Sequence, residues 1–366
     1  MRGGRIRSLG NGMASPHVRA PRWGWPTTGS MAPGAAMSRP DTRFPSPLHP
    51  RRTDSTLREE EEVGAASIKS VGFEESLLPV DRLLLGSLAV LAMLGVCFLP
   101  RPLPFLGVLA ATATFLLGVA MWGESTHVGR VLHAFISLPV VLILFTALGP
   151  LIPAVNPVRW DDRWRELDQG LFGNLAWHWH HALGRPSWFT DASYLVYVSY
   201  YALPVALGAA LYIQHRRGEF HRFVFTTVAT FLLSYVGYFL FPTLGPRVPV
   251  ELEDALLGGG AISHAIRAFL LFSEGTLLNA FPSAHTAVSL VLLGLGWRAF
   301  PRMRVPLTLH VAAIIFTTVY LSFHYVVDLM GGVMLALMTP VLVPMLRRLC
   351  GPAGTTPRGL ERHVRP

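Results

Sequence analysis

Two histidines stand at the mouths of long apolar segments near the C-terminus. Phe281-Pro282-Ser283-Ala284-His285-Thr286 opens one segment, and Tyr320-Leu321-Ser322-Phe323-His324-Tyr325-Val326-Val327-Asp328-Leu329-Met330-Gly331-Gly332 opens the next. Residues four apart share one face of a helix, so Asp328 is expected to accept a hydrogen bond from one ring nitrogen of His324. The other nitrogen is then free to attack, a base-and-orienter arrangement for nucleophilic catalysis. Pro282 and Ser283 read as a helix start with Ser283 as its cap, and the amides of such a first turn face anions. His285 is positioned there to protonate a leaving oxygen. Arg247 follows the turn Phe241-Pro242-Thr243-Leu244-Gly245-Pro246, whose prolines end a helix. Its planar fork of donors suits phosphate oxygens. Nucleophile, acid, helix N-terminus and arginine are the parts that phosphoryl transfer needs. Each has a plainer reading, the histidines as interfacial residues and Arg247 as a headgroup anchor. Ionisable groups beside hydrocarbon are costly, however, and mark function.

The elements that must position these groups are membrane spans. Charged residues make up 14% of the chain, hydrophobic residues 51%, and the mean hydropathy is +0.42. A span takes roughly 20 apolar residues. About eight segments qualify: 83–99, 103–122, 131–153, 191–213, 223–241, 284–299, 305–323 and 325–346, of which 83–99 and 284–299 are short. Arg216, Arg217 and Arg222 fall in one loop, Arg298, Arg302 and Arg304 in another, and Arg347, Arg348, Arg358, Arg362 and Arg365 at or beyond the end of the last span. The positive-inside rule makes these clusters and both termini cytoplasmic. Loop 242–282, with its acidic residues Glu251, Glu253 and Asp254, is then extracytoplasmic, as are His285 and the 323–325 junction. Topology thus accounts for the net charge of +9 without a nucleic-acid partner.

The remaining segments carry weaker signals. Residues 1–75 are rich in Arg, Pro, Gly and Ser and read as a disordered basic cytoplasmic tail, with Met13, Met31 and Met37 as alternative starts. Residues 154–190 predict an amphipathic helix in the interface. His178, His180 and His181 have poor metal-ligand spacing and read as interfacial, so no metal site is expected. Residues 261–272 predict a short helix roofing the site, made mobile by glycines 258–260. His133, inside a span, is expected to be satisfied within the bundle. Cys97 and Cys350 lie at opposite membrane faces and cannot pair.

The two histidine segments resemble the second and third motifs of the type 2 phosphatidic acid phosphatase superfamily, Pro-Ser-x-His and His-x-x-x-Asp. The resemblance covers roughly residues 130–346. It implies an all-α integral membrane fold, with a core of six helices and here about two more in front. The implied domains are a tail at 1–75, accessory helices at 76–125, a catalytic membrane domain at 126–348 and a second tail at 349–366. It further implies a phosphohistidine intermediate with no cofactor and no metal. His324 would be the nucleophile, Asp328 its orienter and His285 the acid; the residues themselves add Arg247 and Ser283 as the expected binders of the substrate phosphate. The partners would be the bilayer and a phospholipid or lipid phosphate.

Departures from the phosphatase pattern bear on the branch. No Lys-x6-Arg-Pro follows residue 241, Ala284 replaces a glycine, and Thr317-Thr318 stands where Ser-Arg is usual. The wording from Tyr320 to Gly332, with Phe241-Pro242-Thr243, is more similar to the inositol phosphorylceramide synthase branch. That branch transfers a phospho-headgroup to a lipid alcohol such as ceramide; hydrolysis of phosphatidic acid or a polyprenyl diphosphate is the alternative. A transporter is the non-enzyme rival, although transporters place their charges at mid-bilayer. A metal-dependent phosphatidyltransferase would need several aspartates on one span, and no span has them.

Overall fold

Proline and glycine set many of the helix ends. In the computed structural model, which describes residues 77–247, 257–273 and 275–351, prolines open the first two helices, α1 (Pro79–Phe98) and α2 (Pro102–Ser125). The 1–75 tail, the acidic stretch 251–254 and the arginines beyond 351 lie outside the described residues. Next come α3 (His127–Phe135) and α4 (Ser137–Val155), which interrupt one apolar stretch at Ile136. Pro139 has no N–H to offer the Phe135 carbonyl, which accounts for the break. Two short helices follow, α5 (Asp161–Phe172) and α6 (Leu175–Leu183), each ended by a positive-φ glycine, Gly173 and Gly184. The rest are α7 (Ser187–Ile213), α8 (Arg217–Leu240), α9 (Ala261–Ser273), α10 (Ala284–Ala299), α11 (Arg304–Tyr320) and α12 (Val326–Cys350). Among the described residues all regular structure is helical.

Among the described residues seven stretches are long and apolar enough to cross a membrane: α1, α2, α3 with α4, α7, α8, α11 with the 3-10 turn before it, and α12. α10 has only 16 residues. It nevertheless begins beside the turn that ends α11, because His285 and His324 are in ring contact. α10 therefore covers the same depth outward that α11 covers back. It is the central helix, packed on α8, α11 and α12. Seven span-length stretches stand against the about eight expected; the difference is α10, shorter than a span, although Ala284–Ala299 matches the expected 284–299 at both ends. Arg82 at the start of α1 donates to the Cys350 carbonyl at the end of α12 (3.2 Å), so both ends of the bundle chain lie at one end of the bundle.

α1 is more than an appendage. It packs on α4, α8 and α12. Asp81 is fully buried and meets His133 at 2.8 Å, joining α1 to α3. The same carboxylate oxygen accepts the Leu78 amide at 2.8 Å. His133 is thus satisfied inside the bundle, as expected.

Candidate active site

The His324 turn is built from the C-terminus of α11. The Phe323 amide donates to the Thr318 carbonyl (2.9 Å) and the Ser322 amide to that of Val319 (3.0 Å), with Ser322 left-handed at φ 58°. This is a Schellman ending, with serine where glycine is usual. The His324 amide also donates to the Thr318 carbonyl, at 3.1 Å. Where the resembled motif carries Ser-Arg, Thr318 thus acts through its backbone.

His324 lies before α12, not on it, which corrects the expectation of two residues stacked on one helix face. Tyr325 caps α12 and Asp328 is its third residue, with Oδ2 accepting the Tyr325 amide at 2.8 Å. That cap folds the carboxylate back toward His324, whose Nδ1 lies 3.5 Å from Asp328 Oδ2. The gap exceeds a formed hydrogen bond. Neither His324 Nδ1 nor Asp328 Oδ1 has a hydrogen-bond partner among the described residues. Both side chains are buried, at 6% and 0% exposure. Catalytic hydrogen bonds are commonly long before substrate binds and tighten afterwards.

Ser283 caps α10, its hydroxyl accepting from the Thr286 amide at 3.3 Å. It is fully buried, and its own amide donates to the Asp328 carbonyl at 3.0 Å. The two histidine segments are therefore joined through Ser283 and Asp328. Gly332 permits the approach, since a Cβ there would lie 2.6 Å from the Ser283 carbonyl oxygen. The cavity wall begins one residue later, at Ala284 and His285.

His285 and His324 have ring centroids 5.8 Å apart. Tyr197 stacks on His285 at 4.5 Å and Tyr200 lies 4.2 Å away. Arg247 donates to Asn279 Oδ1 at 3.1 Å and sits 5.4 Å from the Phe323 ring centre. Arg247, Asn279, His285 and His324 share one cavity of about 40 Å³. Its other polar lining is tyrosine: Tyr197, Tyr200 and Tyr201 from α7, Tyr235 and Tyr238 from α8.

Sequence reasoning missed Asn279, the tyrosines and two aspartates of α5. The tyrosine signal was present, because 194, 197, 200 and 201 recur at helical spacing inside a span. Asp161 Oδ1 accepts the amides of Leu244 (2.7 Å) and Gly245 (3.2 Å), fixing the turn that presents Arg247. Asp168 Oδ1 accepts the Val327 amide at 3.0 Å in the first turn of α12. Burial pushes the Asp168 carboxyl above its ordinary 3.8; the Val327 amide opposes this and the charge of Asp328 adds to it.

Other expected features lie away from the cavity. His180 contacts the Tyr320 carbonyl at 2.6 Å, and His181 stacks on Trp177. Among the described residues no group of three His, Cys, Asp or Glu is placed to hold a metal ion. α9 is a helix as expected but does not roof the cavity. It packs on α7, where buried Arg267 donates to the Tyr194 hydroxyl at 3.1 Å. Gly260 is held by Asp191, whose Oδ1 accepts its amide at 2.8 Å.

Residues 162–342 match the family model of the PAP2 superfamily. No curated protein and no solved structure matches the chain. The PAP2-matching segment begins within α5, ends within α12 and contains Asp168, Arg247, Asn279, His285, His324 and Asp328. It leaves α1 to α4 outside.

Proposed function

We propose that the chain is a membrane enzyme of the PAP2 type that transfers a phosphoryl group from a lipid through a phosphohistidine. The observation that carries this reading is the convergence of His324, His285 and Arg247 on one buried cavity, within a segment matching that superfamily. His324 Nε2 attacks phosphorus while Asp328 holds the Nδ1 proton. The N–P bond forms as the bond to the leaving oxygen breaks, and His285 supplies the proton that oxygen needs. Arg247 binds the non-bridging oxygens, steadied by Asn279. In the second half an acceptor oxygen attacks phosphorus, its proton passes to His285, and His324 is released.

The acceptor is either water or a lipid alcohol. The wording of Tyr320 to Gly332 and of Phe241-Pro242-Thr243 favours headgroup transfer to ceramide or diacylglycerol, as in the inositol phosphorylceramide synthase branch that it resembles. The site is read as extracytoplasmic, with both termini cytoplasmic, from the arginine distribution. Purified protein with labelled phospholipids, with and without ceramide or diacylglycerol and in excess chelator, tests the reading. The expected result is an acid-labile phosphoprotein and a labelled lipid product that grows with acceptor. Activity that disappears in chelator and returns with magnesium would overturn the mechanism. Label released only to water, whatever the acceptor, would leave hydrolysis in place of transfer.

A further inference from the structure

A second cavity lies at the opposite end of the same helices, between α8, α10 and α12, with a volume of about 580 Å³. Arg222, Arg298 and Arg347 line it, one from each helix. Arg222 is in the first turns of α8, while Arg298 and Arg347 are in the last turns of α10 and α12. The cavity is thus removed from His285 by most of the length of α10, about 20 Å from residue 285 to 298. No carboxylate lines it, and none of the three arginines has an ion pair or hydrogen bond among the described residues. Its floor is apolar, formed by Phe225, Leu290, Val291 and Val343 among others.

The positive-inside rule explains why this end is basic. It does not explain why arginines of three helices line one concave wall without an acid, while Arg216 at the same end is paired with Glu219 at 2.6 Å. Three guanidinium groups above an apolar floor match an anionic phosphate carrying hydrocarbon chains. The size suits a lipid headgroup region.

We propose that this cavity binds an anionic phospholipid of the leaflet facing away from the histidine site. The proposal does not depend on the catalytic reading. The phosphate sits among Arg222, Arg298 and Arg347, and an acyl chain follows the groove past Gly294. Gly294 is exposed, and a Cβ there would meet nothing within 4 Å, so a larger side chain can fill the groove without disturbing the helices.

Native mass spectrometry of the full chain in detergent tests this, with phosphatidylglycerol, phosphatidylcholine and glycerol phosphate offered at equal concentration. Phosphatidylglycerol is expected to form the dominant adduct. Arg298→Gln with Arg347→Gln should weaken it by about tenfold or more. Gly294→Leu should weaken it as well, with all charges kept. Arg302→Gln, which removes a charge outside the groove, should not. The proposal is overturned if the Arg302 variant loses lipid as much as the groove variants do, which would mean a generally basic face. It is equally overturned if phosphatidylcholine binds as well, if glycerol phosphate competes as strongly as the lipid, or if a second copy of the chain occupies the groove in a lipid-free dimer.

Discussion

Asp168 accepts the backbone amide of Val327 at 3.0 Å, across 159 residues of chain, and so ties helix α5 to the turn that carries Asp328. Removing the acceptor leaves a buried amide unsatisfied, a penalty of about 1–3 kcal/mol. Asp168→Ala is therefore expected to lower kcat by about tenfold with little change in KM, because orientation of the nucleophile is lost and substrate contacts are kept. Asp168→Asn keeps the acceptor and should retain most activity. The same pair reports on pH. With its folded pKa raised above 3.8, Asp168 holds a proton in the folded protein that the unfolded chain has released. Stability then falls as pH rises through that interval, and Asn should flatten the profile. Thermal midpoints of both proteins across the acidic range measure it, and parallel profiles would count against the assignment.

The division of labour between the histidines can be separated by leaving group. His324→Ala should abolish turnover and phosphoprotein alike. Asp328→Asn should slow turnover on the order of 10³–10⁴-fold, by analogy with removing the orienting carboxylate of a triad. His285→Ala should still form phosphoprotein from a substrate whose leaving group needs no proton. Label retained by His324→Ala would reverse the roles.

Arg247→Lys is expected to cost at least about tenfold in kcat/KM, since a point charge replaces a fork held by Asn279. Steady-state kinetics decide this. Parent-like behaviour of Arg247→Ala would reduce Arg247 to a headgroup anchor.

Ser322 adopts φ 58° two residues before His324, the proposed nucleophile. Left-handed geometry costs a non-glycine residue roughly 1–2 kcal/mol. Ser322→Gly should therefore raise stability by about 1 kcal/mol and leave kcat intact, whereas Ser322→Val should lower both. Thermal unfolding in detergent alongside activity provides the comparison.

Topology is open to labelling at two glycines with open space around them, Gly170 and Gly218. In a background with Cys97 and Cys350 replaced by serine, Gly170→Cys should react with an impermeant reagent from outside the cell. Gly218→Cys should react only after lysis. The reverse pattern would put the histidines in the cytoplasm.

The bundle was legible because membrane helices announce themselves by unbroken apolar length, and the ends 284–299 needed no adjustment. His285 and His324 were legible because polar groups at the mouths of such helices have few reasons to be there. What escaped were contacts between a side chain and distant backbone. Asp161 and Asp168 sit on an amphipathic helix, where carboxylates read as solvent-facing, yet they bind amides of residues 244, 245 and 327. The spacing of His324 and Asp328 suggested a helix face. The aspartate instead folds back as a cap, which sets the same two residues side by side by a different route.

The 16 residues of α10 rise only about 24 Å, less than the roughly 30 Å hydrocarbon thickness. A helix that begins at the histidine pair and must still reach the other surface leaves that pair sunk below the headgroup plane. On the proposed reading, a lipid substrate then reaches the site by lateral diffusion within its own leaflet, without first being lifted into water. Rates should accordingly follow the mole fraction of lipid in a micelle or vesicle, and diluting the surface with inert detergent should slow the reaction even when the bulk lipid concentration is unchanged.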